Sequence, residues 1–375
     1  ALAVNVVAAS ATGTATGTFS GTFTANDYDS GMSTVTGEEQ GKVRIGDEYF
    51  DTLVDAVDAA KDGDTIYLLD NLEGAGIGIF AADGDVKDFT IDFGGFTYTC
   101  VGPAVGSSGT QSQAFHLEKG ADYTPNVTFK NGTITAETGV GVKMLIQNYC
   151  NLTLTNMNLI GTTDTQYVLS NNFGNTVIDG NTSITATAGN VAFDVCYANG
   201  PYAEGVSVTV DTTGTIIGDI ELGVWNAAGA GEAPDINDYL ENANLIINNV
   251  KLDGKIENKV GGLNEYESDT AETDEEKKAE YNEKLQKAID INGGTFAAGS
   301  EVENYLPEGG YKTDAAGNII VGKKNDSNRI TGCIYLNEDY HALIVNGRFI
   351  AQPHADNGSG FCTACKGVIV ADTAE

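Results

Sequence analysis

The chain is short of positive charge, of proline and of the residues that common catalytic signatures need. It has 20 Lys and Arg against 53 Asp and Glu, a formal net charge of −33 over 375 residues. Such a surface repels nucleic acid and anionic lipid, and no basic cluster offsets it, so nucleic acid is not an expected partner. No apolar run approaches the length of a membrane helix, and membrane insertion is not expected either. Histidine occurs only at 116, 341 and 354, and arginine only at 44, 329 and 348. No Gly-x-Ser-x-Gly, phosphate loop or His-Glu-x-x-His motif is present.

What is abundant is glycine, threonine and asparagine. Gly numbers 47 against 6 Pro, a balance that suits short strands joined by tight turns. A pattern recurs along the chain. In Val127-Thr-Phe129-Lys-Asn131-Gly-Thr-Ile134, apolar residues fall at offsets zero, two and seven, with an Asn or Gly kink around offset four. Leu152, Leu154 and Leu159 repeat it, and the next copy is framed on Val177, Asp179 and Ile184, so that starts fall 25 residues apart. Weaker copies begin at Phe89 (with Ile91, Phe96), Leu245 (Ile247, Leu252), Ile289 (Ile291, Phe296) and Leu343 (Val345, Ile350). Val208 and Val210 fit with the closing residue slipped to Ile216.

Offsets zero and two share one face of a strand, and Asn or Gly at offset four tolerates the left-handed backbone that turns the chain. One such unit cannot bury its apolar side alone, whereas stacked copies make a continuous core. The pattern predicts an all-β fold, a right-handed parallel β-helix solenoid. The competing architecture, a β-sandwich of short strands, has no reason to repeat the same offsets at a fixed period.

Three segments are expected. Residues 1–41 alternate Thr with Gly or Ala and read as an extended strand segment, a donor strand for another subunit or else a flexible linker. Residues 42–322 form the solenoid with its N-terminal cap. Within them Lys42–Phe50 reads as a hairpin turning at Gly46-Asp47, and Thr52–Lys61 as a capping helix with Asp51 as N-cap and Leu53, Ala56, Val57 and Ala60 on one face. Residues 265–288 read as a helical excursion, from the capping box Thr273-Asp-Glu-Glu276 and the pairs Glu280/Lys284 and Glu283/Lys287. Residues 323–375 hold a final coil and a Cys-containing end.

Ile45 to Leu53 followed by Asp55 to Asp70 resembles the module that opens many extracellular β-helix surface proteins of Gram-positive bacteria. Ile291-Asn-Gly-Gly-Thr-Phe296, with Val302–Leu306, Glu308–Lys312 and Ile319–Gly322, is similar to a module near the ends of their solenoids. The resemblance implies a secreted, cell-surface protein with a pectate-lyase-like β-helix, in a family without a single activity. The chain begins at Ala1 rather than Met, which predicts export followed by cleavage.

Six Cys lie at 100, 150, 196, 333, 362 and 365. The first three read as small buried hydrophobes. Cys362-Thr-Ala-Cys365 is followed by Lys366 and is no c-type haem site; with Cys333 and His354 it could form a Cys₃His zinc site, against the simpler reading of a disulfide or plain thiols. Asn26–Gly31 clusters oxygen ligands without the spacing of a full calcium loop, and turn-formers explain it equally, so calcium is left open. Inverting hydrolysis needs paired carboxylates; Asp179 and Asp211 lie near matching offsets, with Asp92 close, but turns account for them equally. Trp225 could stack on a sugar or pack on the solenoid wall. Six Asn-x-Ser/Thr sequons occur, at 126, 131, 151, 181, 325 and 357. No catalytic, cofactor-binding or metal residue is therefore assigned. The sequence predicts a non-enzymatic extracellular structural protein, polymerising with copies of itself as a surface filament, sheath or layer. The alternatives are an adhesin taking surface glycans, or a polysaccharide lyase or hydrolase.

Overall fold

The computed structural model describes residues 22–26, 32–36, 41–80, 88–106, 110–198, 200–225, 242–258, 288–306 and 310–322. Within the 1–41 segment, β1 (Thr22–Asn26) pairs antiparallel with β2 (Met32–Thr36), a two-stranded sheet that joins no other described strand. Residues 1–21, the excursion at 265–287 with its capping box, the Leu343 copy and the Cys-containing end lie outside the described residues.

The main body opens with β3 (Val43–Ile45) and β4 (Glu48–Phe50), a hairpin whose Gly46 has φ +56°. The helix α1 (Leu53–Ala59) follows, capped by Thr52 rather than Asp51. Thr52 Oγ1 accepts from the Asp55 N–H at 3.1 Å and donates to Asp55 Oδ2 at 2.6 Å. That reciprocal geometry needs a hydroxyl three residues before the acid, which places the cap one residue later than expected. Leu53, Ala56, Val57 and Ala60 are buried, as the helix period predicts. Then comes β5 (Thr65–Leu68).

From there the chain adds strands pass by pass. They are β6 (Leu72–Gly74), β7 (Ile77–Phe80), β8 (Phe89–Asp92) and β9 (Thr97–Cys100). Next are β10 (Gln113–Glu118), β11 (Asn126–Ala136), β12 (Met144–Asn148), β13 (Asn151–Ile160) and β14 (Tyr167–Asn171). After these come β15 (Gly174–Gly180), β16 (Ser183–Thr185), β17 (Val191–Ala198), β18 (Val206–Ile217), β19 (Asp219–Trp225) and β20 (Ala243–Asp253). The last are β21 (Ile256–Asn258), β22 (Ile289–Ile291), β23 (Gly294–Phe296), β24 (Lys312–Thr313) and β25 (Ile319–Val321).

The fold is all-β with parallel strands. A seven-stranded parallel sheet runs β7-β10-β12-β14-β17-β19-β21. A larger sheet runs β4-β3-β5-β8-β11-β13-β15-β18-β20-β23-β25-β24; it is parallel from β5 to β23 and antiparallel at both ends. Apolar side chains of the two sheets meet in one core. The rings of Phe115 and Phe129 lie 5.2 Å apart edge-on, with Tyr98 and Phe93 packed against them at 5.6 and 5.9 Å.

The repeat frame is visible in the register. Val127 pairs with Leu152, Phe129 with Leu154 and Ile134 with Leu159, all buried. Asn131 and Asn156 turn the chain at φ +60° and +54°, and Gly132 lies so close to Phe93 and the Phe96 carbonyl that a Cβ would collide with both. The Val208, Leu245 and Ile289 copies keep the expected frame. Two copies do not. Leu152 pairs with Thr176 and Leu154 with Ile178, so the third copy starts at Thr176 and Val177 and Asp179 leave the inward positions. Thr176 is buried because its hydroxyl donates to Asn171 Oδ1 at 2.6 Å and accepts from Asn148 Nδ2 at 3.0 Å, so an inward polar residue hid the frame. In the Phe89 copy Tyr98, not Phe96, aligns with Ile134, because Gly94 and Gly95 lengthen the turn.

Candidate functional site

The turn between the two limbs of β11 and β13 carries an asparagine ladder. Asn131 Nδ2 donates to Asp92 Oδ1 at 3.1 Å, Asn156 Nδ2 to Asn131 Oδ1 at 3.3 Å, and the Asn181 N–H to Asn156 Oδ1 at 3.0 Å. A second ladder starts each long strand. Asp88 accepts from the Asn126 N–H, from Asn126 Nδ2 and from Tyr123, and Asn151 Nδ2 donates to Asn126 Oδ1 at 3.0 Å. Burial pulls the Asp88 carboxyl upward, but those hydrogen bonds outweigh it and hold the group below the usual range. Of the sequons, those at 126, 131 and 151 thus have their amide nitrogens engaged in ladders. Asn181 is exposed, and those at 325 and 357 lie outside the described residues.

Asp179 and Asp211 are register partners on β15 and β18, on the corner side of the larger sheet. Asp179 Oδ1 is buried and meets no donor among the described residues. Asp92 is engaged instead by Lys130 at 3.5 Å and by Asn131. The structure therefore brings together, as register partners, two of the three carboxylates singled out from sequence. Trp225 ends β19 opposite Ala198, and its side chain and the loop after it lie outside the described residues, as do Asp27–Gly31, Arg329, Arg348, His341, His354 and the CxxC pair.

A richer grouping lies on the seven-stranded sheet. Phe115, Ile146, Leu169, Phe193 and Ile220 align in register toward the core. One residue on, by strand alternation, His116, Gln147, Ser170, Asp194, Glu221 and Glu257 form a column on the opposite face. His116 is buried between Gln147 Oε1 at 3.1 Å and Glu118 Oε2 at 3.3 Å. Tyr202, on the short turn Gly200–Tyr202, packs at 4.6 Å on the Tyr149 ring and donates to Glu118 at 3.1 Å. Tyr167 donates to Glu221 Oε2 at 3.2 Å. Asp194 Oδ2 accepts from Ser170 at 3.0 Å, and Oδ1 from the Asn171 N–H at 2.6 Å.

Burial pushes the Asp194 carboxyl up to about 7 against those hydrogen bonds, and the neighbouring Glu221 adds to the rise. Burial, then Glu221, pushes Tyr167 up to about 12. Cys196 is raised by burial and then by Asp194, and Cys150 and Cys100 are raised chiefly by burial, so the three described thiols are protonated and unreactive at neutral pH. Cys100 and Cys150 are buried as expected, while Cys196 is half-buried. Chemically, the column offers two neighbouring carboxyl groups, one of which keeps its proton to near neutrality. Sequence reasoning missed it because it looked for acids in the repeat frame, and this column belongs to strands between the copies. Among the described residues no three His, Cys, Asp or Glu side chains gather as a metal set, and no helix is long and apolar enough to cross a membrane. No family model, curated protein or solved structure matches the chain.

Proposed function

We propose that the chain is a right-handed parallel β-helix that serves outside the cell as a non-enzymatic structural subunit, joining copies of itself into a surface filament, sheath or layer. The observation that carries this reading is the pair of in-register parallel sheets over one core, a build that gives a stiff rod whose unit faces repeat along its length. The β1–β2 hairpin supports a role for residues 1–41 in joining subunits, since a lone two-stranded hairpin is marginal in water and gains by adding to a sheet edge. Electron microscopy of the native material tests the reading: polymers are expected, lost on deletion of residues 1–41. Dispersed particles at all concentrations would end it.

The Asp194–Glu221 pair favours one second reading, a polysaccharide-active or glycan-binding β-helix. Asp194→Asn and Glu221→Gln would then abolish turnover of a neutral or acidic glycan while leaving the fold intact. Trp225→Ala on a glycan array tests the binding form of the same reading.

A further inference from the structure

We propose that the outer face of the second limb of the larger sheet is the surface at which two copies of this chain meet side by side. The proposal rests on the self-assembling reading and names the contact. Two columns run up this limb. Thr133, Asn158, Ser183 and Thr215 share one, and Thr135, Ile160, Thr185 and Ile217 the other. On β9, Thr97 and Thr99 extend both columns by one strand. The residues between them, Ile134, Leu159, Ile184 and Ile216, are fully buried, so alternation directs both columns outward.

Over these five strands neither column is charged, on a chain carrying −33, and the next register partners, Glu73 on β6 and Lys251 and Asp253 on β20, bound the neutral tile at its two ends. Beside them the corner residues Asn131, Asn156, Asn181 and Thr213 are themselves neutral, hydrogen-bonded in the ladder whose foot is the Asp92 carboxylate. Two of the exposed large apolar side chains, Ile160 at 36% and Ile217 at 40%, lie in one column. Charge decides what can dock here. Any acidic face brought against a second copy would desolvate carboxylates against carboxylates, whereas this tile does neither. Hydroxyls both donate and accept, so a Thr/Ser surface can pair with its own image across a two-fold axis without conflict of sign. Five strands give a height of about 19 Å, and the four residues from corner to second column a width of about 14 Å. That is well under the roughly 800 Å² per partner of a standard interface, so one contact is weak and aligned rods hold by repetition.

The test is sedimentation velocity and electron microscopy on the full chain and on a Thr185→Asp/Ile217→Asp variant, with circular dichroism as the check on folding. Self-association of the parent, strengthened by added NaCl as repulsion is screened, should fall at least about tenfold in the variant. Ile217→Ser, which keeps the tile neutral, should retain most of it. Undiminished association of the folded double variant would overturn the tile; if deletion of residues 1–41 then dissolves the polymers, the subunit reading survives alone. A parent that stays monomeric at all concentrations overturns both. Unchanged association with glycan binding lost from the double variant would reassign the face to a neutral polysaccharide and also overturn the proposal.

Discussion

Replacing Asp194 by Asn should make the protein more stable above neutrality, an advantage that shrinks as pH falls and is gone below about pH 4. The carboxyl is 7% exposed and holds its proton to about 7, against 3.8 when free in water. Native chains therefore bind more protons than unfolded ones between about pH 4 and pH 7, and stability falls as pH rises through that window. At about 1.4 kcal/mol per tenfold, the deficit above pH 7 has a ceiling of about 4 kcal/mol, and relaxation of the site brings the expected value to about 2–4 kcal/mol. Asparagine keeps the contacts: its Oδ1 accepts from the Asn171 N–H, and the Ser170 hydroxyl can rotate to accept from Nδ2. Urea unfolding of parent and variant from pH 5 to pH 8.5 reads the effect. The variant should exceed the parent at pH 8, and at pH 5 by only about two-fifths as much. Parallel pH curves, or a variant weaker at pH 8, would refute the buried-carboxyl argument.

Asp179→Asn removes a carboxylate with a buried, unmatched oxygen beside Asp211, and should raise unfolding free energy by about 1 kcal/mol at low salt. Asn156→Ala loses both ladder bonds and puts a Cβ without polar compensation at φ +54°, costing about 2–4 kcal/mol by denaturant melts; Asn156→Gly should recover roughly half of that. Gly132→Ala should prevent the limbs of β11 from closing on Phe93, lowering Tm sharply or abolishing the cooperative transition. Phe115→Ala should cost about 3–5 kcal/mol, since its ring joins the two sheets against Phe129.

How much was legible varied with chemistry rather than position. Where inward residues are apolar, as at Val127, Phe129 and Ile134, the spacing alone gives register and turn. Where the core admits a hydrogen-bonded polar residue, apolar periodicity slips: Thr176 moved a frame by one residue. The seven-stranded sheet was illegible for the same reason, because Asn148 and Asn171 occupy inward positions in it and are both hydrogen-bonded to the Thr176 hydroxyl. The acid column behind that sheet is a product of stacking; its members are remote in sequence, and only register brings Asp194 next to Glu221. The helical cap was readable from its stripe, and only its first residue depended on side-chain geometry.

The reversed strand direction at each extremity has a final implication. β3 runs against β5 at one end, with the short β4 turning back beside it, and β25 runs against β23 at the other, with the two-residue β24 turning back beside it. Ile256 on the last strand of the smaller sheet already receives Tyr305 on its carbonyl and gives its N–H to Ser300. Among the described residues, each end of the larger sheet finishes in a short antiparallel hairpin rather than a long open strand, which blunts it as a template for further pairing. An assembly of copies, as proposed above, would then be joined through flanks or tethers rather than by pairing at these blunted ends.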